Sequence, residues 1–222
     1  MKTSTIETEA FAARKILVLG GTGPTGRHII DQAKKRGHKV TALVRDPKKA
    51  ASLKGVELIV GNTTDEMTLR KALKGHDAVI SALGTPASPF REVIFLSAAT
   101  RALINAMKAE HVSRLVAITG IGAGDSNGHG GFIFDNLIFP LLLRKVYADK
   151  NRQENLITNS GLDWTIVRPS ILNNKQGRGR VRTLTDLTNF HGGNIAREDV
   201  ARFVLDQLTT EAWLGKSPLV TW

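Results

Sequence analysis

The residues Gly20-Gly21-Thr22-Gly23-Pro24-Thr25-Gly26 carry the clearest chemical potential in the sequence. Glycines at 20, 23 and 26 give the spacing G-x-x-G-x-x-G, set between an apolar run, Lys15–Leu19, and an amphipathic stretch, Arg27–Arg36. A strand, a glycine turn and a helix in that order make a cradle for the pyrophosphate of a dinucleotide. Gly20 permits the tight turn, Gly23 lets phosphate approach the backbone, and Gly26 lets the helix pack close to the strand. Thr22, Pro24 and Thr25 complete the turn, and the free N–H groups of the new helix face the anion. The pattern identifies what is held and is silent on what is done with it.

The next chemistry lies at the tip of the second strand. Val40–Val44 runs into Arg45, at the place where a dinucleotide site often carries an acid for the ribose 2′-hydroxyl. An arginine pairs with a 2′-phosphate, and a carboxylate would repel it. The expected cofactor is therefore NADP(H). Asp46 is expected to turn toward Pro47, and Arg27 is either an assistant or a solvated first-turn residue. After the third strand, Asn62 is a candidate for the adenine edge and Asp65 for a helix cap. After the fourth, Ala82, Leu83 and Gly84 are small enough for the central riboses to lie against the backbone.

Other chemistries find little support. The six histidines, at 28, 38, 76, 111, 129 and 191, show no metal spacing, so no metal site is expected. No G-x-S-x-G stands directly at a strand tip and no G-K-[ST] stands at the glycine turn, which counts against an α/β-hydrolase and a P-loop NTPase. Cysteine is absent, excluding a disulfide framework and a thiolate nucleophile and suiting a cytoplasmic location. The net charge of +11 arises from scattered cations with few interleaved aromatics, so no nucleic-acid partner is expected. The most apolar window, Phe132–Leu143, is too short and too interrupted to span a bilayer.

These residues need a scaffold that alternates strand and helix. Strands are predicted over Lys15–Leu19, Lys39–Val44, Val56–Val60, Ala78–Ser81, Arg114–Thr119, Trp164–Val167, Arg180–Leu184 and Leu219–Thr221. Helices are predicted over Thr25–Lys35, Glu66–Lys74, Glu92–Glu110, Leu142–Asn159 and Arg197–Leu208. The alternation predicts an α/β chain with one Rossmann-type, doubly wound parallel sheet and helices on both faces. Met1–Ala13 is expected to be a flexible tail, and residues 14–222 a single domain whose C-terminal loops form the substrate crevice. Ligands of such sheets bind at the C-terminal ends of the strands.

Three stretches resemble the atypical short-chain dehydrogenase/reductases, in the NAD(P)H-binding, NmrA-like branch with biliverdin-IXβ/flavin reductases and NADH-flavin reductases. They are the glycine turn, Asp77–Gly84 and Ser160-Gly161-Leu162-Asp163-Trp164-Thr165-Ile166-Val167-Arg168-Pro169. Ile195–Ala201 is similar to the branch's final-helix entry. The resemblance implies the fold and the cofactor. In the wider superfamily a serine after the fifth strand and a Y-x-x-x-K pair act on the substrate. Here Thr119 stands for the serine, and Lys150 sits four residues before Glu154, where the branch often has its lysine. Val146 occupies the position four before Lys150, and Tyr147 is one place off, about 100° around a helix. Thr119, Tyr147 and Lys150 are the catalytic candidates, with Lys150 also a cofactor ligand; a core or surface tyrosine beside a solvated lysine stands as the alternative.

The resemblance implies an NADPH-dependent oxidoreductase passing hydride to a small planar acceptor such as a flavin, tetrapyrrole or quinone, with solvent supplying the proton. A non-catalytic NADP-binding sensor is the second reading. A sugar-nucleotide epimerase is the third, although 222 residues leave little room for its C-terminal lobe. Phe132–Leu143 is open between a lid, the buried start of a helix and a dimer contact. A monomer or homodimer without a membrane partner is expected.

Overall fold

The computed structural model describes residues 13–222; apart from Ala13, the expected tail lies outside the described residues. The strands β1 (Lys15–Leu19), β2 (Lys39–Val44), β3 (Glu57–Val60), β4 (Ala78–Ser81), β5 (Arg114–Ile118) and β6 (Asp163–Pro169) are all parallel. They pair in the order β3-β2-β1-β4-β5-β6. The chain therefore reverses its direction of travel across the sheet between β1 and β4, which opens a crevice at their C-terminal ends.

Continuous apolar runs build these strands because both faces are covered. Ile16 and Val18 of β1 pack on one side against Ile29, Ile30 and Val204, from α1 (Pro24–Lys35) and α5 (Arg197–Asp206). Leu17 and Leu19 pack on the other against Leu69, Leu103 and Ile157, from α2 (Glu66–Leu73), α3 (Phe95–Ala109) and α4 (Arg144–Thr158). Alternate residues of one strand thus serve two cores.

The sheet extends beyond β6 through the parallel β10 (Leu219–Thr221) to β8 (Arg182–Leu184), which runs antiparallel and so departs from an all-parallel sheet. Two strands were not expected: β7 (Ile171–Asn173) and β9 (Asn194–Ala196) form a small parallel ladder of their own. Three residues give too short a pattern to be read as a strand.

α1 starts one residue early, at Pro24, and two further helix starts also differ from expectation. α3 begins at Phe95 instead of Glu92, where the buried Asp149 carboxylate, from α4, accepts the Leu96 N–H at 2.7 Å. Asp65 caps α2 as expected, accepting from Met67 N–H at 3.1 Å. α4 begins at Arg144, after a ten-residue π-helix, Phe134–Leu143. Pro140 inside that segment has no N–H to donate, which favours a widened turn. No residue of the π-helix is buried, which overturns the buried-start reading. Phe134 and Phe139 lean on Tyr147, with ring centroids 6.2 and 5.0 Å away, while Phe132, Ile133, Leu137 and Leu141 are exposed.

Candidate cofactor and active site

The glycine turn is closed by backbone contact. Gly20 has φ +79°, and a Cβ there would strike the Ala82 carbonyl of the β4 tip. A Cβ at Gly26 would strike the Gly20 carbonyl oxygen, and one at Gly23 would come within 3.3 Å of it. Side chains are therefore excluded where phosphate must approach. Gly23 is the N-cap of α1 and offers no side-chain cap, Pro24 has no N–H, and the first turn holds no acid. The amides of Thr25 and Gly26 thus stay free for an anion at the positive end of the helix. These features fit a dinucleotide pyrophosphate.

A cleft of about 590 Å³ runs from this turn along the C-terminal ends of β1, β2, β4 and β5. Among the residues singled out from the sequence, Gly20, Thr22 to Gly26, Arg45, Ala82, Leu83, Gly84, Thr119 and Lys150 line it. Asn62 does not. Its side-chain oxygen accepts the Thr64 N–H at 3.1 Å, and the neighbouring Thr63 faces the cleft. Phe95, Leu172 and Arg197 are further lining residues that sequence reasoning missed. Arg197 lies within a segment already singled out by resemblance, but only the fold brings it across to the glycines. Among the described residues the cleft is lined by the cations Arg45, Lys150 and Arg197 and by no carboxylate.

Arg45 is exposed at the tip of β2, its guanidinium 5.7 Å from the centre of the Phe95 ring. Thr22, Arg45, Asp46 and Lys49 enclose an adjoining cavity of about 340 Å³. The Asp46 carboxylate is engaged with the Lys48 N–H at 2.9 Å, the local turn expected of it. Arg27 reaches away, donating to Ser52 Oγ at 2.7 Å.

The three catalytic candidates separate. Lys150 lines the cleft and its ammonium donates to the Thr119 carbonyl oxygen at 2.5 Å. Burial pushes its pKa down to about 8, against the opposing pull of the Glu154 carboxylate. Thr119 also lines the cleft, but its hydroxyl donates to Glu154 Oε1 at 2.6 Å. Glu154 is buried and paired with Arg168 at 2.7 Å, and Asp125 meets the same guanidinium. Tyr147 does not enter the cleft. Its hydroxyl donates to the Ile121 carbonyl oxygen at 2.8 Å, and burial, with Glu154 adding to it, pushes the phenol up to about 12. The i, i+3 spacing does bring the pair together, with Lys150 Nζ 5.1 Å from the Tyr147 ring centre. The one-place shift puts the hydroxyl under the loop at Gly120–Gly122 instead of in the cleft. Phe132–Leu143 contributes nothing to the cleft's lining. Among the described residues no cluster of His, Asp or Glu could hold a metal ion, and no helix is long and apolar enough to cross a membrane.

Residues 20–211 match the NAD(P)H-binding family. An uncharacterized sugar epimerase, YhfK of Bacillus subtilis, is 30% identical over 207 residues, 89% of this chain and 90% of that one. An NAD(P)H azoreductase of Xenophilus azovorans is 33% identical over 156 residues, 69% of this chain and 47% of its own length. Among solved structures, the anaerobilin reductase ChuY of Escherichia coli O157:H7 superposes with a TM-score of 0.79 at 21% identity, covering 93% of this chain and 96% of that one. That likeness is one of fold. With the glycine cradle, the switch-point cleft and the match across nearly its whole length, the chain belongs to the NAD(P)H-binding family, and its motifs resemble those of the atypical short-chain dehydrogenase/reductases.

Proposed function

We propose that the protein, an NAD(P)H-binding oxidoreductase, uses NADPH to reduce a planar, strongly electrophilic acceptor of the flavin, tetrapyrrole or quinone type. The observation that carries this reading is the composition of the cleft: among the described residues, three cations and no carboxylate around a glycine cradle. A bound nicotinamide supplies the hydride. The chain's own residues bind and orient. The amides at the start of α1 take the pyrophosphate, and Arg45, with Lys49 beside it, takes the 2′-phosphate. Ala82–Gly84 give the riboses a flat backbone wall, and Lys150 holds positive charge near the fifth strand.

The acceptor class follows from the hydroxyl groups. Thr119 donates to Glu154 and Tyr147 to Ile121, so neither proton faces the cleft. An unactivated carbonyl needs a general acid as hydride arrives. A conjugated electrophile accepts hydride first and takes its proton from water afterwards, so positioning supplies most of the catalysis. The azoreductase among the relatives supports a reductive role.

The same two hydrogen bonds favour a second reading, a non-catalytic NADP-binding sensor. Following the nicotinamide absorbance with flavins, biliverdins and quinones separates the two. Turnover on one of these acceptors is expected, whereas tight NADPH binding without turnover on any of them selects the sensor. The cofactor preference has its own test: Arg45→Ala should weaken NADPH binding far more than NADH binding, and equal losses would refute it.

A further inference from the structure

A second cleft opens at the opposite end of the sheet, where β1, β2 and β3 begin. Its volume of about 530 Å³ lies in the range that holds a small ligand. Lys15 and Lys39 stand at the first positions of β1 and β2 and are direct partners in the parallel register. Like charges set side by side on neighbouring strands destabilise a sheet. Among the described residues neither ammonium forms an ion pair. The nearby Asp77 carboxylate accepts the Lys15 backbone N–H at 2.7 Å. Lys71 and Lys74, from the end of α2, and Lys34, from the end of α1, complete a basic rim.

Two features oppose this positive charge. The C-terminal ends of α1 and α2 each bring about half a negative charge. Glu57 lines the cleft, its carboxylate accepting the Thr41 hydroxyl at 3.0 Å, with His76 Nε2 2.8 Å from the same hydroxyl. Five ammonium groups outweigh both, and the cleft stays net positive.

His38 supplies an observation independent of charge. It lines the cleft yet is only 6% exposed. The Arg14 N–H donates to its Nδ1 at 3.1 Å, so the ring proton resides on Nε2. Burial, with Arg36 and Arg14 adding to it, holds the imidazole's pKa below the ordinary value and keeps it neutral. Nε2–H makes no hydrogen bond among the described residues and remains accessible at the cleft, free to donate to a ligand.

We propose that this cleft binds a compact small molecule carrying two or more phosphoryl groups, distinct from the dinucleotide. The lysines come from four elements, so one phosphate would meet only part of the rim, whereas linked phosphates reach across it. Lysines act here as point charges, and the His38 N–H provides a directed donor to a phosphoryl oxygen. None of these residues touches the dinucleotide cleft, which lies at the other end of the same strands.

The test is calorimetric titration of the full chain, saturated with NADPH, using inorganic tripolyphosphate. One binding event is expected, weakened at least tenfold in the double variant Lys15→Gln/Lys39→Gln and restored in Lys15→Arg/Lys39→Arg. NADPH affinity should be the same in all three proteins, which also shows that the variants are folded. Unchanged tripolyphosphate binding in the glutamine variant overturns the proposal. So does loss of the event on NADPH saturation, which places the probe in the cofactor cleft. Equal displacement by sulfate at matched ionic strength overturns it as an adventitious ion only. Binding of a single-stranded oligonucleotide at the same lysines, without binding of tripolyphosphate, overturns it in favour of nucleic acid.

Discussion

The Thr119 hydroxyl donates to Glu154 at 2.6 Å, and the same carboxylate is held by Arg168 at 2.7 Å. The residue at the serine position of the wider superfamily thus directs its proton into the fold. Its place beside the cleft is kept, and its role as a donor to substrate is not.

Thr119→Val should therefore separate stability from activity. The variant keeps the shape and leaves one Glu154 oxygen short of a donor, which costs roughly 1–3 kcal/mol of stability. Hydride transfer should remain within about threefold, less than ~1 kcal/mol of barrier. Urea unfolding and single-turnover NADPH oxidation measure the two effects. A hundredfold slower turnover would show that Thr119 acts on the acceptor.

Tyr147→Phe should behave similarly, with an alkaline signature. The folded phenol titrates at about 12 against an ordinary value of 10.0. Between these values the unfolded chain releases the proton while the folded one keeps it. The associated stability is complete below pH 10 and declines as pH rises toward 12. Wild-type unfolding free energy should fall more steeply across this window than that of the phenylalanine variant. Parallel curves would show that the hydroxyl is not held as described.

Lys150 sets the pH dependence of cofactor binding. Its ammonium is charged below about pH 8 in the free protein and loses its proton above it. The phosphates of a dinucleotide favour the charged form, so binding above pH 8 requires proton uptake. NADPH affinity should fall about tenfold between pH 8 and 9.5, by the same linkage. Lys150→Met should bind more weakly at pH 7 and show a flat profile, measured by fluorescence titration. A wild-type profile that is flat as well would remove Lys150 from the site.

Asp149→Ala should loosen the start of α3. It removes the carboxylate that accepts the Leu96 N–H and the Ser97 hydroxyl. A lost cap costs about 0.5–2 kcal/mol, and for a chain of this size each kcal/mol lowers Tm by about 2–4 °C. Asp149→Asn retains one acceptor and should recover part of the loss in differential scanning fluorimetry. No shift in either variant would mean that the amides find another acceptor.

What was legible in the sequence was local. The glycine turn, its flanking strand and helix, and Arg45 at the next strand tip are contiguous patterns, and the fold sets them around one cleft. What escaped was set by distant contacts. Arg197 and Leu172 reach the cleft only because β7 and β9 pair. The start of α3 is fixed by a residue 53 positions from Leu96. Asn62 and Thr63 are neighbours in a turn, and the turn's own hydrogen bond decided which one faces inward. Tyr147 shows how fine that limit is, because one step along a helix decided between the cleft and the underside of a loop.

The buried pair of Glu154 and Arg168 constrains how this chain can change. Losing either member alone strands a charge in the interior, at about 3–5 kcal/mol, a large fraction of what holds a typical domain together. Losing both to well-packed apolar residues is often nearly neutral. Substitution paths between the two states pass through a valley, so descendants of this chain should carry the glutamate and arginine together or discard them together. Thr119 would follow them, since its hydroxyl has that carboxylate as its acceptor.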